Sequence, residues 1–119
     1  MNRSPALFAL ALLLAEPAAA DAGSAPGGRQ VFMTYCRLCH GDAGEGDGPA
    51  AKLLADHVRP ANLRRSVLIR TEKERIIRAG GAAVGRSGSM PPWGEQLSDA
   101  EIGDLLAYLS VLAQPTTTP

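Results

Sequence analysis

The segment Cys36-Arg37-Leu38-Cys39-His40 decides how this chain folds, because it contains both cysteines of the sequence and places a histidine directly after the second. C-x-x-C-H is the attachment sequence for c-type haem. Two thiols three positions apart at the end of a helix project toward one edge of a porphyrin, where each can add across a vinyl group. The adjacent imidazole of His40 then points at the iron from the same side. The segment predicts one haem c, bound covalently through Cys36 and Cys39, with His40 as an iron ligand.

The first twenty residues have the form of a secretory signal peptide. Arg3 gives a positive start, and the subsequent apolar run at 5–15 is too short to span a bilayer. The alanines at 18–20 are small residues suited to cleavage, so we expect a signal peptide over 1–20, with cleavage after Ala22 as the alternative. Because the apolar run is short, an uncleaved membrane anchor is the weaker interpretation. The pattern predicts a periplasmic protein, which agrees with the attachment of c-type haem outside the cytoplasm.

The chain beyond the signal peptide is one small domain, and a domain of that size has a thin apolar core. Only 4% of the chain is aromatic, so the apolar faces of a haem would take the place of missing core side chains. Basic and acidic residues are balanced at 12 each, which gives no indication of nucleic-acid binding. No later apolar run is long enough for a transmembrane helix. We expect a disordered lead-in at 21–27, a domain at 28–113 and a disordered tail at 114–119.

Hydrophobic periodicity predicts helices separated by loops rich in Gly and Pro, and no strand. The first helix covers about 29–38, and a short helical stretch covers about 50–56. Thr71 and Glu74 have the form of a capping box, and the helix that they open ends at the Gly80-Gly81 pair. The predicted class is all-α.

The last helix has the clearest sequence signal. Ser98 and Glu101 form a second capping box, and apolar residues recur at helical spacing from Ile102 to Ala113. Pro115 ends the helix.

Three side chains are candidates for the second axial ligand of the iron. Met90 is followed by Pro91-Pro92, whose fixed φ angles stiffen the loop, and a thioether opposite histidine raises the potential. The alternative for Met90 is a core residue that fills a gap. Met33 lies just before the haem segment, where its own helix holds it away from the distal face. A lone histidine such as His57 at a helix end is more often a surface or capping group.

Beyond these motifs, the chain resembles the class I c-type cytochromes, the small monohaem electron carriers of bacterial periplasms. The resemblance covers about 28–112 and rests on Cys36-Arg37-Leu38-Cys39-His40-Gly41, Gly48-Pro49, Met90-Pro91-Pro92-Trp93-Gly94, Leu97-Ser98-Asp99-Ala100-Glu101-Ile102 and Leu106-Ala107-Tyr108-Leu109. It implies about four helices around one covalently attached haem. It also implies that the first and last helices cross, with Gly28 and Phe32 meeting Tyr108 or Leu109.

The resemblance implies further contacts to the haem and its ligands. The carbonyl of Pro49 would accept a hydrogen bond from Nδ1–H of His40, which would fix the ring. Trp93 would donate to a haem propionate, with a packed loop anchor as the alternative. Arg59 and Asn62 are additional candidates for the propionates, although a surface position is the commoner outcome for an arginine.

Charge is unevenly distributed along the balanced chain. Basic residues concentrate between 59 and 86, while acidic residues concentrate at 42–56 and at 95–104. Such a dipole would orient the protein on a redox partner and speed their encounter. The alternative is an ordinary solvated surface of mixed charge.

Together, these features predict an electron carrier and not an enzyme, with His40 and Met90 filling both axial positions. The expected partners are periplasmic or membrane-bound redox proteins, and the chain would be a monomer or a small subunit of an oxidoreductase. One alternative is a haem enzyme or gas sensor in which Met90 is displaced. Another is a zinc site formed by Cys36, Cys39, His40 and His57, whose spacing fits the common ligand patterns poorly.

Overall fold

The computed structural model describes residues 1, 23–55 and 58–114. Within these ranges every regular element is helical, which confirms the all-α prediction. The α-helices are α1 (Ala25–Tyr35), α2 (Arg37–His40), α3 (Arg70–Ala79) and α4 (Asp99–Leu112). Short 3-10 helices lie in the connections at Pro49–Leu53, Leu63–Arg65 and Ala82–Val84.

Helix α1 begins earlier than the sequence predicts. The hydroxyl of Ser24 accepts a hydrogen bond from the backbone N–H of Gly27 at 3.1 Å, and Pro26 occupies the first turn, where its missing donor costs nothing. The helix therefore starts at Ala25. The predicted disordered lead-in at 21–27 is wrong for its last three residues, because a capping serine and a proline outweigh the low helix propensity of the adjoining glycines.

Helices α1 and α4 cross at close range. A Cβ atom at Gly28 would collide with the carbonyl oxygen of Asp104, so only glycine allows this approach. The rings of Phe32 and Tyr108 meet with centroids 5.3 Å apart. The backbone N–H of Ser24 donates to the carboxylate of Asp104 at 2.6 Å and ties the start of α1 to α4. The predicted crossing of the first and last helices is confirmed.

The apolar core of the described domain is small and lies between α1, α3 and α4. No polar or charged side chain of the described residues is buried. A core of this size provides limited hydrophobic stabilisation. The buried apolar residues are Val31, Phe32, Ile77, Leu97, Ile102, Leu105, Leu106 and Leu109.

The N-terminus of α4 has the predicted capping box. The hydroxyl of Ser98 accepts from the backbone N–H of Glu101 at 3.1 Å, and the carboxylate of Glu101 accepts from the backbone N–H of Ser98 at 2.8 Å. Two of the helix's unpaired donors are satisfied in this way.

The start of α3 differs from the prediction. Ile69 is the capping position, and its backbone N–H donates to the carboxylate of Glu72 at 2.9 Å. Ile69 has no side-chain acceptor with which to complete a capping box. The predicted box between Thr71 and Glu74 is therefore wrong, since Glu74 instead accepts from Nε of Arg78, one turn later, at 2.9 Å.

The predicted signal peptide, apart from Met1, lies outside the described residues, as do His57 and the tail from 115 onward. Among the residues that are described, no helix has both the length and the apolarity needed to cross a bilayer.

Candidate haem-binding site

One cavity of about 530 Å³ brings the predicted site residues together. The residues that line it include Cys36, Cys39, His40, Met90 and Trp93. They come from two regions that are distant in sequence, the haem segment and the loop between α3 and α4. The volume is typical of a cofactor pocket, for which the range is roughly 300–1,000 Å³.

The haem segment begins with a bend between α1 and α2. The backbone N–H of Cys36 closes α1 by donating to the carbonyl of Phe32 at 2.9 Å, and the carbonyl of Cys36 accepts from His40 N–H at 2.9 Å. Cys36 and Cys39 both carry free thiols. The one-turn helix α2 and its capping residue Cys36 therefore place both thiols and the imidazole at the wall of the same cavity.

The surroundings of Cys36 favour a neutral thiol. Burial raises the pKa of Cys36 to about 12, and the neighbouring Cys39 adds to the rise. Within 23–55 and 58–114, no three His, Cys, Asp or Glu side chains are arranged to hold a metal ion. The described residues therefore give no support to the zinc alternative, whose fourth member, His57, lies outside them.

The imidazole of His40 is oriented by a backbone carbonyl. Its Nδ1 lies 3.0 Å from the carbonyl oxygen of Ala61, so that with Nδ1–H donating, Nε2 keeps a free lone pair. Burial lowers the pKa of His40, and the hydrogen bond to Ala61 opposes part of that shift. A neutral, oriented imidazole is the form that binds a metal.

The predicted acceptor for His40, the carbonyl of Pro49, is not the one that the structure shows. The loop after α2 folds back on the helix, where the N–H groups of Gly46 and Gly48 donate to the carbonyls of His40 and Cys39 at 2.8 and 3.0 Å. Pro49 then begins a 3-10 helix and does not line the cavity. The ring is instead approached by Ala61, which lies twelve residues further along the chain.

Met90 lies half-buried in the loop on the other side of the cavity. Its carbonyl accepts from the backbone N–H of Gly81 at 2.9 Å, and its own N–H donates to the carbonyl of Ser87 at 3.3 Å. Met33, in contrast, packs against the core and does not line the cavity. The position of Met90 at the cavity wall is thus fixed by backbone hydrogen bonds.

Trp93 anchors the same loop. Its backbone N–H donates to the carbonyl of Ile77 at the end of α3 at 2.8 Å, and its ring lies 5.4 Å from that of Tyr35, centroid to centroid. These contacts are those of a packed loop anchor. Donation from Trp93 to a propionate stays a prediction.

Several residues of the cavity were not indicated by sequence motifs. Ala61 contributes only its backbone carbonyl. Every residue has this group, so the residue type does not indicate the contact. Asn62, a candidate for a propionate contact, uses its side-chain oxygen to cap the second 3-10 helix by accepting from two backbone N–H groups. The basic residues on the cavity wall belong to the predicted basic segment, but the sequence did not show which of them share one face. They are Arg59, Arg65, Lys73 and Arg86.

The chemistry of this donor set fits a haem c. The cavity combines two thiols, an oriented neutral imidazole and a thioether with basic side chains suited to two carboxylates. Cys36 and Cys39 would hold the porphyrin edge, and His40 and Met90 would face the iron.

Comparison with known proteins agrees with this fit. Residues 23–109 match the family model described as cytochrome c oxidase, cbb3-type, subunit III. The cbb3-type cytochrome c oxidase subunit CcoP of Azospirillum sp. is 34% identical over 92 residues, which are 76% of this chain and 29% of that protein. The subunit FixP of Azorhizobium caulinodans is 29% identical over 100 residues, 83% of this chain and 31% of that protein.

A third relative is comparable in length. Cytochrome c6 of Picosynechococcus sp. is 29% identical over 109 residues, 92% of this chain and 91% of that protein. The chain thus spans less than a third of the two oxidase subunits but most of the cytochrome c6. No solved structure matches the chain. The chain therefore belongs to the family of cytochrome c oxidase, cbb3-type, subunit III, and is a small class I c-type cytochrome.

Proposed function

We propose that this protein is a periplasmic electron carrier that attaches one haem c through thioethers at Cys36 and Cys39 and holds the iron between His40 and Met90. The observation that supports it most strongly is the single cavity lined by all four side chains. When bound, the haem supplies a one-electron ferrous–ferric couple. With His40 and Met90 both holding the iron, the chain would leave no open position at which a substrate could bind the metal.

His40 acts as the fixed ligand. Its hydrogen bond to the carbonyl of Ala61 selects the tautomer in which Nε2 faces the cavity, and it increases the basicity of the ring. A ligand that is already oriented needs little rearrangement when the iron changes oxidation state. This arrangement suits rapid electron transfer.

Met90 acts as the second ligand and determines the direction in which the reduction potential shifts. A thioether opposite histidine favours the ferrous state and raises the reduction potential. The loop that carries Met90 is held by Gly81 on one side and stiffened by Pro91 and Pro92 on the other. A loop restrained in this way does not easily release the ligand.

The proposed compartment and partners rest on the sequence. The signal-like segment over 1–20 and the extracytoplasmic attachment of c-type haem support a periplasmic location. The partners would be periplasmic or membrane-bound redox proteins. The relatives are of two kinds, a separate small cytochrome and oxidase subunits, so the chain acts either as a free carrier or as a small subunit of an oxidoreductase.

The test of the ligand pair is the absorption spectrum of the reduced holoprotein with and without carbon monoxide. We expect a six-coordinate c-type spectrum that carbon monoxide does not change. Met90→Ala should keep the haem attached, lower the reduction potential and allow carbon monoxide to bind, because it opens one axial position. Met33→Ala is the matched control, since Met33 does not line the cavity, and it should resemble the parent protein.

Three outcomes would contradict the proposal. A parent spectrum that shifts with carbon monoxide would mean an accessible iron and would favour the haem enzyme or gas sensor. An unchanged potential in Met90→Ala would remove Met90 from the ligand set. Absence of any haem band, after expression with a haem-attachment system, would end the cytochrome interpretation.

A further inference from the structure

The last residue of α1 contacts the loop that carries Met90. That residue is Tyr35, and its ring lies 5.4 Å from the ring of Trp93, centroid to centroid, at an interplanar angle of 59°. A tilted pair at this distance is one of the favoured arrangements of two aromatic rings. Both side chains line the cavity, so the pair joins the α1 side of the cavity wall to the loop side.

Backbone hydrogen bonds tie the same loop to a different helix. The N–H of Trp93 donates to the carbonyl of Ile77 near the end of α3 at 2.8 Å. The haem, in contrast, would be attached covalently at Cys36, the residue directly after α1. The distance between the sulfur of Met90 and the iron therefore depends on how α1 and the loop are held relative to each other. The contact between Tyr35 and Trp93 is one that holds them.

Trp93 is connected to Met90 by a stiff segment. Pro91 and Pro92 stand between them, and the ring of each proline fixes its φ angle. A segment with two fixed dihedral angles has little freedom to absorb a displacement, so Met90 moves when Trp93 moves. Trp93 also packs against the apolar core, which limits the directions in which it can move.

We propose that Tyr35 is a positioning residue for Met90, which acts through the ring of Trp93 to hold the thioether on the iron. This inference rests on the proposed ligation of the iron by His40 and Met90. Because Tyr35 directly precedes Cys36, the ring contact fixes the loop relative to the segment at which the haem would be attached. The covalent anchor and the second axial ligand are coupled in this way.

The contact would act on the equilibrium between a closed loop, with Met90 on the iron, and an open loop. Opening separates the rings of Tyr35 and Trp93, so the pair stabilises the closed state alone. A tilted aromatic pair contributes enough free energy to change such an equilibrium by about twofold to tenfold. An external ligand that binds only the open state has an apparent affinity that is reduced in proportion to the open fraction.

The test is a titration of the ferric holoprotein with imidazole, followed by absorption at equilibrium. Imidazole competes with Met90 for the iron, and its equilibrium affinity does not depend on how fast it enters the cavity. Tyr35→Leu removes the ring and keeps an apolar side chain. We expect this variant to bind imidazole about twofold to tenfold more tightly than the parent protein and to have a lower reduction potential. Tyr35→Phe retains the ring and should behave like the parent protein.

A second aromatic pair on α1 provides the matched control. The rings of Phe32 and Tyr108 lie 5.3 Å apart at an interplanar angle of 54°, and Tyr108 does not line the cavity. Tyr108→Leu removes one ring of this pair, so it should lower Tm while the affinity for imidazole stays that of the parent protein. If Tyr35 has only a structural role, the two leucine variants will bind imidazole equally well, and the inference is wrong.

The outcomes separate this inference from the proposed function. If Met90→Ala binds imidazole no more tightly than the parent protein, Met90 is not a ligand and the proposed ligand pair fails. If Met90→Ala binds it more tightly but Tyr35→Leu does not, only the positioning role of Tyr35 is refuted.

Two further results would overturn the inference. A lower potential in Tyr35→Leu with an unchanged affinity for imidazole would mean that the ring only excludes water from the haem. Equal gains in affinity for Tyr35→Leu and Tyr35→Phe would assign the effect to the hydroxyl group and not to the contact between the rings.

Discussion

Gly81 is the residue that fixes how the distal loop carries Met90. Its N–H donates to the carbonyl of Met90, and its own carbonyl accepts from Arg86 N–H, both at 2.9 Å. A Cβ atom at this position would collide with the carbonyl oxygen of Ser87 and would lie 3.3 Å from Cβ of Met90. Because the collision is with backbone, the loop itself would have to move.

We therefore expect Gly81→Ala to weaken the proposed ligation of the iron by Met90. The variant should keep its haem but show a lower reduction potential and partial binding of carbon monoxide to the ferrous form. Gly88→Ala is the matched control in the same loop, because a Cβ there meets only Cβ of Ala82, at an ordinary 3.9 Å. Equal potentials for the two variants would show that Gly81 does not position Met90.

At this scale, the sequence predicts side-chain chemistry well and backbone partners poorly. The sequence predicts the cysteines, His40 and Met90 as site residues because thiol, imidazole and thioether groups are properties of residue type, and the structure places all four at one cavity. The acceptor for His40 was assigned to Pro49, whereas the structure places Ala61 there. Every residue has a carbonyl, so only the path of the chain determines which carbonyl reaches the ring.

At the scale of elements, α4 is the helix whose ends and face the sequence predicts best. Its capping box is formed by side chains, and its apolar residues repeat over several turns. Helix α3 is less predictable, because Ile69 occupies the capping position and Glu72 alone supplies an acceptor. For α1, the glycines obscured a helix start that Ser24 and Pro26 favour. Local signals thus predict an element when they agree and misplace its start when they conflict.

The capping box of α4 leads to a stability prediction. Ser98→Ala removes the acceptor for Glu101 N–H, and loss of such a cap costs about 1 kcal/mol. For a domain of this size, a loss of about 1 kcal/mol lowers Tm by about 4–8 °C. Thermal unfolding of the holoprotein, followed by circular dichroism, measures the effect.

Ser110→Ala in the same helix is the control for this prediction. The Ser110 hydroxyl donates to the carbonyl of Leu106 within α4, a contact that contributes little to helix stability. Its Tm should stay close to that of the parent. If Ser98→Ala melts at the same temperature as Ser110→Ala, the capping box does not contribute as proposed.

At the scale of the whole molecule, the cavity that would bind the haem lies against the apolar core, so both stability and the proposed function depend on it. The apolar core between α1, α3 and α4 is small, and a cavity of about 530 Å³ lies beside it, with Phe32, Ile77, Leu105 and Leu109 belonging to both. A haem bound in the cavity would therefore pack against these residues and complete the apolar core. A domain built in this way should have little stability without its haem.

This dependence predicts that Cys36→Ala combined with Cys39→Ala leaves the domain largely unfolded. Deleting one large aromatic core side chain costs about 3–5 kcal/mol, whereas the total stability of a domain is about 5–15 kcal/mol. A haem has several times the apolar area of one such side chain. The stabilising free energy lost with the haem should therefore exceed the stability that the remaining core provides. Far-ultraviolet circular dichroism and thermal unfolding of the variant would measure this.

The parent protein expressed without a haem-attachment system separates loss of the haem from loss of the thiols. Both samples should show weak helical signals and no cooperative melting, because both lack the cofactor surface against which Phe32 and Leu109 would pack. If only the cysteine variant is unfolded, the thiols themselves stabilise the fold. A cooperatively melting helical domain in both samples would mean that the small core suffices and that the haem serves electron transfer alone.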